Sequence, residues 1–293
     1  MGLVQRLLAR ALIGRRVREL AALIPDPGCP LDRLVTAFTR AEVAYQASPR
    51  HYGLAFLLGR ASQCIAAELP WHDRTAWYRR ALEYFESAAR LAEAGNTAGA
   101  DGLPEVSAHT WGDDLDLQHR AWLAASFEAG VLAVGEFRIR DPARAIHYMR
   151  RVAETVRGAH PVWYYLGEAY LLAGEFDAAE AAWREGLAHA PDDRTLQAVL
   201  RNLPADRVRH AVRAGDWIAA RRALERLPDG AMPASERLTI EGDVHLAMGD
   251  PEAARRCWIA ALEADPHAVG VRRRLHRLAR GGHLPPAGRS ASG

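Results

Sequence analysis

The sequence predicts an all-α fold in which helical hairpins stack on one another. Alanine, leucine, arginine and glutamate, which favour helices, fill segments bounded by clusters of glycine and proline. A glycine followed by an acidic residue recurs in the second half of the chain, at Gly174-Glu175, Gly215-Asp216 and Gly249-Asp250. Glycine can end one helix in a left-handed conformation and the acid favours the start of the next, so each motif predicts a turn between two helices.

The small residue that follows each turn gives the period of a repeat. Ala145 and Ala179 are 34 positions apart, Ala179 and Ala220 are 41 apart, and Ala220 and Ala254 are again 34 apart. The middle interval is one period plus seven residues, which predicts an insertion near 191–201. The predicted units are about 126–159, 160–193, 201–234 and 235–268.

The second unit carries the most specific pattern, which has the spacing W-x2-L-G-x2-Y, then A-x3-aromatic, then P. The residues are Trp163, Leu166, Gly167, Tyr170, Ala179, Trp183 and Pro191. This pattern resembles the tetratricopeptide repeat, a helix–turn–helix unit of 34 residues. The fourth unit carries a similar set, namely Gly242, Ala254, Trp258, Ala261 and Pro266. The first and third units keep the period but have no tryptophan or tyrosine at the signature positions of the first helix.

The resemblance covers about half of the chain and implies a right-handed α-solenoid over 119–268 that binds a protein or peptide in its concave groove. In arrays of this kind the first helix of each unit lines the groove. The resemblance therefore implies these partner-binding residues: Phe127, Phe137, Tyr164, Glu168, Leu171, Arg209, Thr239 and Asp243. Tyr164 is the expected aromatic anchor. Glu168 and Asp243 are the expected acceptors, with Arg209 between them as a donor.

One subclass of the family is disfavoured. Chaperone-binding tetratricopeptide domains hold a C-terminal carboxylate with lysine, asparagine and arginine at set groove positions. The corresponding positions here are Tyr164, Glu168, Asp206, Glu236 and Ile240. Because three of these are acidic, we expect no carboxylate-clamp chaperone tail as the partner.

The helical pattern continues towards both ends of the chain without the 34-residue period. Residues 1–24 predict an amphipathic helix, and 25–118 predict a divergent repeat-like helical region in which Phe85 echoes the second helix of a repeat. Residues 269–280 predict a C-terminal capping helix, followed by a disordered tail at 281–293. The two terminal helices are basic, so an adaptor that binds a membrane or a nucleic acid through them stays open as an alternative.

The long segment 95–118 supports another alternative, a helical enzyme or metal protein. It contains His109, Asp113 and Asp116, and His119 follows directly. Imidazoles and carboxylates this close can bind a divalent metal or share a proton. They also fit a solvated loop whose acids favour the start of the next helix, and no fixed ligand spacing is met.

Composition narrows the function classes. The chain has no lysine among its 38 basic residues, which excludes a Walker lysine and a Schiff-base lysine. Its net charge of +2 gives no overall case for nucleic-acid binding, and three separated cysteines predict a reduced, cytoplasmic protein. The leading prediction is therefore a non-enzymatic scaffold without a cofactor, and the sequence does not indicate its oligomeric state.

Overall fold

All regular structure in the described part of the chain is helical, which confirms the predicted all-α fold. The computed structural model of the 293-residue chain describes residues 3–24, 28–112, 114–135, 139–156 and 158–280. Within these ranges the side chains of 3–10, 108, 109 and 160 are not described. The chain divides into two compact units, 1–191 and 192–293, called the N-terminal unit and the C-terminal unit below.

The N-terminal unit consists of antiparallel helical hairpins that pack on one another in chain order. Its helices are α1 Leu3–Leu23, α2 Leu31–Ala47, α3 Tyr52–Glu68, α4 Trp71–Glu93, α5 Ala108–Trp111, α6 Leu117–Val134, α7 Pro142–Thr155, α8 His160–Ala173 and α9 Phe176–His189. The pairs α3/α4, α6/α7 and α8/α9 form the hairpins, and α6 packs on both α4 and α8. In the part of α1 whose side chains are described, Ile13, Leu20 and Leu23 are buried and Leu12 is 46% exposed.

The C-terminal unit repeats the same plan with two hairpins and a final helix. Its helices are α10 Arg194–Ala214, α11 Trp217–Glu225, α12 Ala234–Ala247, α13 Pro251–Ala264 and α14 Val269–Ala279. Helix α12 packs on α11, and α14 packs on α13. The residues expected as an insertion near 191–201 lie largely within α10, which Asp193 caps and which continues through Pro204.

The turns between paired helices follow the glycine–acid pattern. Gly174, Gly215 and Gly249 have φ values of 78°, 72° and 84°, in the left-handed region that glycine tolerates best. The carboxylates of Asp216 and Asp250 then accept a backbone hydrogen bond in the first turn of the next helix. In the turn before α7, which lacks a glycine, Arg140 itself takes a left-handed φ of 33°.

A glycine on the first helix lets an aromatic side chain of the second helix pack directly on the backbone. A Cβ atom at Gly167 would lie 2.0 Å from Nε1 of Trp183, and one at Gly242 would lie 2.4 Å from Nε1 of Trp258. Both tryptophans are fully buried. Gly59 and Phe85 make the same type of contact in the hairpin α3/α4, where the distance would be 2.8 Å.

The segment between α4 and α6, expected as a long loop at 95–118, is largely irregular, and four of its described side chains are buried. Ala100, Leu103, Val106 and Trp111 are buried. The segment contains a 3-10 turn, Pro104–Val106, and the short helix α5. Its backbone also pairs with the start of α3, where the Gly53 amide donates to the Ala98 carbonyl at 2.9 Å.

Candidate functional site

A groove in the C-terminal unit brings together three of the residues predicted to bind a partner. It has a volume of about 390 Å³ and lies among α10, α12 and the N-terminal half of α14. Its lining residues are Arg209, Val212, Arg213, Ser235, Glu236, Thr239, Ile240, Asp243, Ala268 and Arg274. The first helices of the two hairpins, α10 and α12, therefore supply one wall each.

Arg209 connects the two first helices rather than standing free as a donor. Its Nε and Nη2 atoms donate to the two carboxylate oxygens of Glu236 at 2.8 and 2.9 Å, and its Nη1 donates to Asp206 at 3.1 Å. These hydrogen bonds lower the pKa of Glu236. The planar guanidinium matches a carboxylate with two parallel bonds, so this pair fixes the distance between α10 and α12 at the groove.

Asp243 is buried, with 2% of its surface exposed, and it is not an open acceptor. Nε and Nη2 of Arg274 donate to its two carboxylate oxygens at 2.7 and 2.8 Å. Burial raises the pKa of Asp243, and the hydrogen bonds from Arg274 oppose that rise. The expectation that Asp243 receives a partner's donor is therefore wrong for this conformation, because α14 already supplies that donor.

Arg274 is a groove residue that the repeat pattern did not predict, since α14 lies outside the 34-residue units. The helical pattern of α14 contains a signal for it. Position 274 lies on the same side of the helix as Val271, Leu275 and Leu278, which pack against the hydrophobic core of the last hairpin. An arginine on an inward apolar face needs an acidic partner, and Asp243 is that partner.

In the N-terminal unit, the predicted aromatic positions form part of a row of rings. Phe127 makes edge contacts with Trp111 and Tyr165, with centroids 5.9 and 5.7 Å apart, and Tyr165 contacts Tyr164 at 5.2 Å. Trp111 is buried, whereas the other three rings are half-buried. Tyr165 and Trp111 were not predicted, because the groove positions of a repeat include neither the second tyrosine nor the segment before α6.

Three more residues of this unit were predicted to bind a partner, namely Glu168, Leu171 and Phe137. Glu168 and Leu171 are half-buried on α8, one and two turns after Tyr164. Phe137 lies outside the described residues. A second groove of about 410 Å³ lies on another side of this unit, where α7, α8 and α9 meet. Its lining includes Arg150, whose guanidinium donates to the hydroxyl of Tyr170 at 2.7 Å.

The histidine–aspartate cluster before α6 acts as a helix cap in the described residues. Asp116 accepts a hydrogen bond from the backbone amide of His119 at 2.8 Å and lies 2.9 Å from its Nδ1 atom. These bonds lower the pKa of Asp116. Asp113 lies outside the described residues, and the side chain of His109 is not described. Among the side chains that are described, no three histidine, cysteine or acidic groups converge to hold a metal ion.

The fold is that of a helical-repeat protein. Its hairpins stack in chain order, and an aromatic side chain of the second helix packs on a glycine of the first helix. Models of the tetratricopeptide repeat match residues 140–203 and 241–279, which include two of the hairpins that carry this contact. The chain therefore contains tetratricopeptide repeats in these two stretches. Repeats of this family support a role as a protein-interaction scaffold, and proteins built from them are generally not enzymes.

Solved structures with a similar fold are also tetratricopeptide proteins. YrrB, described as having an unusual peptide-binding site, is 12% identical, with 83% of this chain and 84% of that chain covered and a TM-score of 0.36. A thermophilic protein from Thermus thermophilus is 18% identical, with 92% and 99% covered and a TM-score of 0.32. A protein from Parabacteroides merdae is 14% identical, with 91% and 98% covered and a TM-score of 0.29. No curated protein sequence matches the chain.

These low TM-scores carry no argument about function, so the family assignment rests on the repeat models and the hairpin geometry. The length and composition of the helices bear on a separate question, namely whether any of them could cross a membrane. None of those in the described ranges combines the length and the apolar composition that crossing a bilayer requires.

Proposed function

We propose that the protein is a non-enzymatic scaffold that binds a peptide segment of a partner protein in the groove of the C-terminal unit. The observation that supports this proposal is one groove of about 390 Å³ to which Arg209 and Thr239, two residues predicted from the repeat period, contribute. Concave sites with an apolar lining and a few fixed polar groups are typical binding sites.

The groove combines a rigid frame with an apolar floor. Val212 and Ile240 supply apolar surface, while the pairs Arg209–Glu236 and Arg274–Asp243 hold the three surrounding helices at fixed distances. A frame that is already ordered reduces the entropy lost on binding. Arg213 lines the groove, is exposed, and has no carboxylate partner in the part of the chain that the structure describes. The expected ligand therefore places an apolar side chain in the groove and an acceptor near Arg213.

The test is a selection of peptides on the full-length chain from a random displayed library, followed by measurement of Kd for the synthetic consensus peptide. Ser235→Trp places an indole in the groove without removing either arginine pair, and we expect it to weaken binding about tenfold or more, which corresponds to about 1.4 kcal/mol. Glu252→Trp is the control, because it adds the same ring at an exposed position in the first turn of α13.

The proposal fails if the library yields no specific binder, or if Ser235→Trp and Glu252→Trp leave the same affinity. Asp243 is not a suitable position for this test. Its removal would leave Arg274 without its partner in a partly buried setting, and loss of stability would then be mistaken for loss of binding.

The aromatic row of the N-terminal unit is the second proposed contact surface. Tyr164, a half-buried ring on a rigid helix, offers a large contact area at a small entropic cost. With the same selected peptide, Tyr164→Ser weakens binding if the row takes part. Unchanged affinity for Tyr164→Ser, together with loss for Ser235→Trp, would restrict the site to the C-terminal unit.

A further inference from the structure

The outer side of α14 is a strip of basic side chains. Arg272, Arg273, His276, Arg277 and Arg280 are all exposed. With 3.6 residues per turn, these five positions fall within a sector about 140° wide. The opposite side of the same helix is apolar, and Val271 on that side is buried, with 3% of its surface exposed.

The arginines of the strip lack internal counter-charges. Arg272 donates to the carbonyl of Pro266 at 2.6 Å, but no carboxylate lies within ion-pair distance of Arg272, Arg273, Arg277 or Arg280 among the residues described. Arg274, on the inner side of the helix, is paired with Asp243 instead. The strip is therefore a concentration of uncompensated positive charge on a helix whose position is fixed by its inner side.

The residues on the two sides of α14 indicate which anionic partner fits the strip: a membrane, a protein or a nucleic acid. A helix that lies on a membrane inserts its apolar side into the lipid, but the apolar side of α14 is packed against the core formed by Ala254, Trp258 and Ala261. Protein interfaces are held mainly by buried aromatic or aliphatic anchors. Between 272 and 280 the outer side carries no apolar residue larger than Ala279. A polyanion contacted through phosphates needs no such anchor, because counterion release supplies the affinity.

We propose that the outer strip of α14 binds the phosphate backbone of a nucleic acid without reading its sequence. Guanidinium groups donate in pairs to phosphate oxygens, so arginine suits this contact better than a point charge would. Residues 272–280 extend over about 12 Å at 1.5 Å per residue, which is enough to reach phosphates on one side of a duplex. This site is separate from the groove and does not depend on the proposed peptide ligand.

The experiment measures binding of the full-length chain to a fluorescein-labelled 20-base-pair RNA duplex, and to a DNA duplex of the same length, by anisotropy between 50 and 200 mM salt. If four phosphates are neutralised, the slope of log K against log salt is about −3.6. Arg273→Gln/Arg277→Gln removes two of the charges. We expect it to reduce the slope to about −1.8 and to weaken binding at 50 mM salt by more than about tenfold.

The matched control is Arg255→Gln/Arg256→Gln. It removes two exposed arginines of α13 that also have no carboxylate partner among the described residues, and it changes the net charge by the same amount. We expect this variant to retain the wild-type slope. Far-UV circular dichroism of both variants establishes that the helices remain folded.

Three results would overturn the proposal. The first is binding to neither duplex at 50 mM salt, and the second is an equal loss in the two arginine variants. The third is a preference for another anion, seen as tighter binding to polyglutamate or to vesicles with phosphatidylglycerol than to either duplex. Similar affinity for RNA and DNA, lost only in the α14 variant, would support the proposal.

Discussion

Gly167→Ala is the most direct test of how a hairpin of this chain closes. In the interior of an exposed helix, alanine is more favourable than glycine by about 1 kcal/mol. At position 167 the added Cβ would lie 2.0 Å from Nε1 and 2.4 Å from Cδ1 of Trp183, so the indole must move. Trp183 is fully buried, and its Nε1 donates to the carbonyl of Tyr164 at 3.1 Å.

Displacement of the ring adds two costs. Overpacking of a filled core costs about 1–3 kcal/mol, and the lost hydrogen bond costs about 1 kcal/mol. After subtraction of the gain in helix propensity, we expect Gly167→Ala to lower the free energy of unfolding by about 1–3 kcal/mol. Gly242→Ala should act in the same direction in the C-terminal unit, where the Cβ would lie 2.4 Å from Nε1 of Trp258.

The assay combines urea unfolding, followed by circular dichroism, with hydrogen exchange of the α8 and α9 amides, because two units need not unfold together. Gly14→Ala is the control. A Cβ at this position in α1 meets only the end of the Arg18 side chain at 3.7 Å, so the change should stabilise by up to about 1 kcal/mol.

A double variant isolates the contact. Leucine at 183 lacks the ring atoms that meet the new Cβ, so Gly167→Ala/Trp183→Leu should be more stable than the sum of the two single changes predicts, by about 0.5–3 kcal/mol. The reasoning is refuted if Gly167→Ala stabilises the chain as Gly14→Ala does, or if the two changes at 167 and 183 are additive.

Two further predictions concern charged groups. Arg209 lowers the folded-state pKa of Glu236 below 4.5, so Glu236 stabilises the fold fully above pH 4.5 and loses that effect as the pH falls through the folded pKa. The difference in unfolding free energy between wild type and Glu236→Gln should therefore shrink on acidification. A difference that stays constant with pH would contradict this prediction. Asp116→Ala removes the cap of α6 and should lower the midpoint of urea unfolding. Elemental analysis of the same two preparations distinguishes the cap from the metal alternative, since loss of a stoichiometric metal would show that Asp116 is a ligand.

The sequence predicts most directly the hairpins that carry both a glycine on the first helix and a tryptophan on the second. Gly167 and Trp183 are 16 positions apart, as are Gly242 and Trp258, so one period describes both contacts. The equivalent contact of Gly59 with Phe85 spans 26 positions and was not foreseen. Helices α3 and α4 are 17 and 23 residues long, and longer helices move the contacting pair further apart along the chain.

The groove could be predicted only in part. The period places Arg209, Thr239 and Asp243 on the first helices, and the structure brings all three to one groove. The repeat period predicts which helix a residue lies on but not how deeply its side chain is buried. The burial of Asp243 was therefore not predicted. The contact that explains it joins residues 31 positions apart, and one of them lies in a helix outside the repeats.

The segment between α4 and α6 shows another limit. Its glycines and polar residues suggest a solvated loop, yet Gly53 and Gly99 allow two backbones to approach so closely that a Cβ at 53 would lie 2.5 Å from the carbonyl oxygen of Gly99. Such a contact joins distant parts of the chain and leaves no periodic pattern in the residues on either side.

The indole–carbonyl hydrogen bonds also determine where residues can be inserted into this chain. In both hairpins the bond joins residues 19 positions apart, Trp183 to Tyr164 and Trp258 to Thr239. An extra residue in the turn of either hairpin would carry the ring past its carbonyl, whereas the seven additional residues before Ala220 were accommodated largely within α10. Tags, cleavage sites or grafted epitopes therefore belong at the junctions between hairpins, and the turns inside them should be left at their natural length.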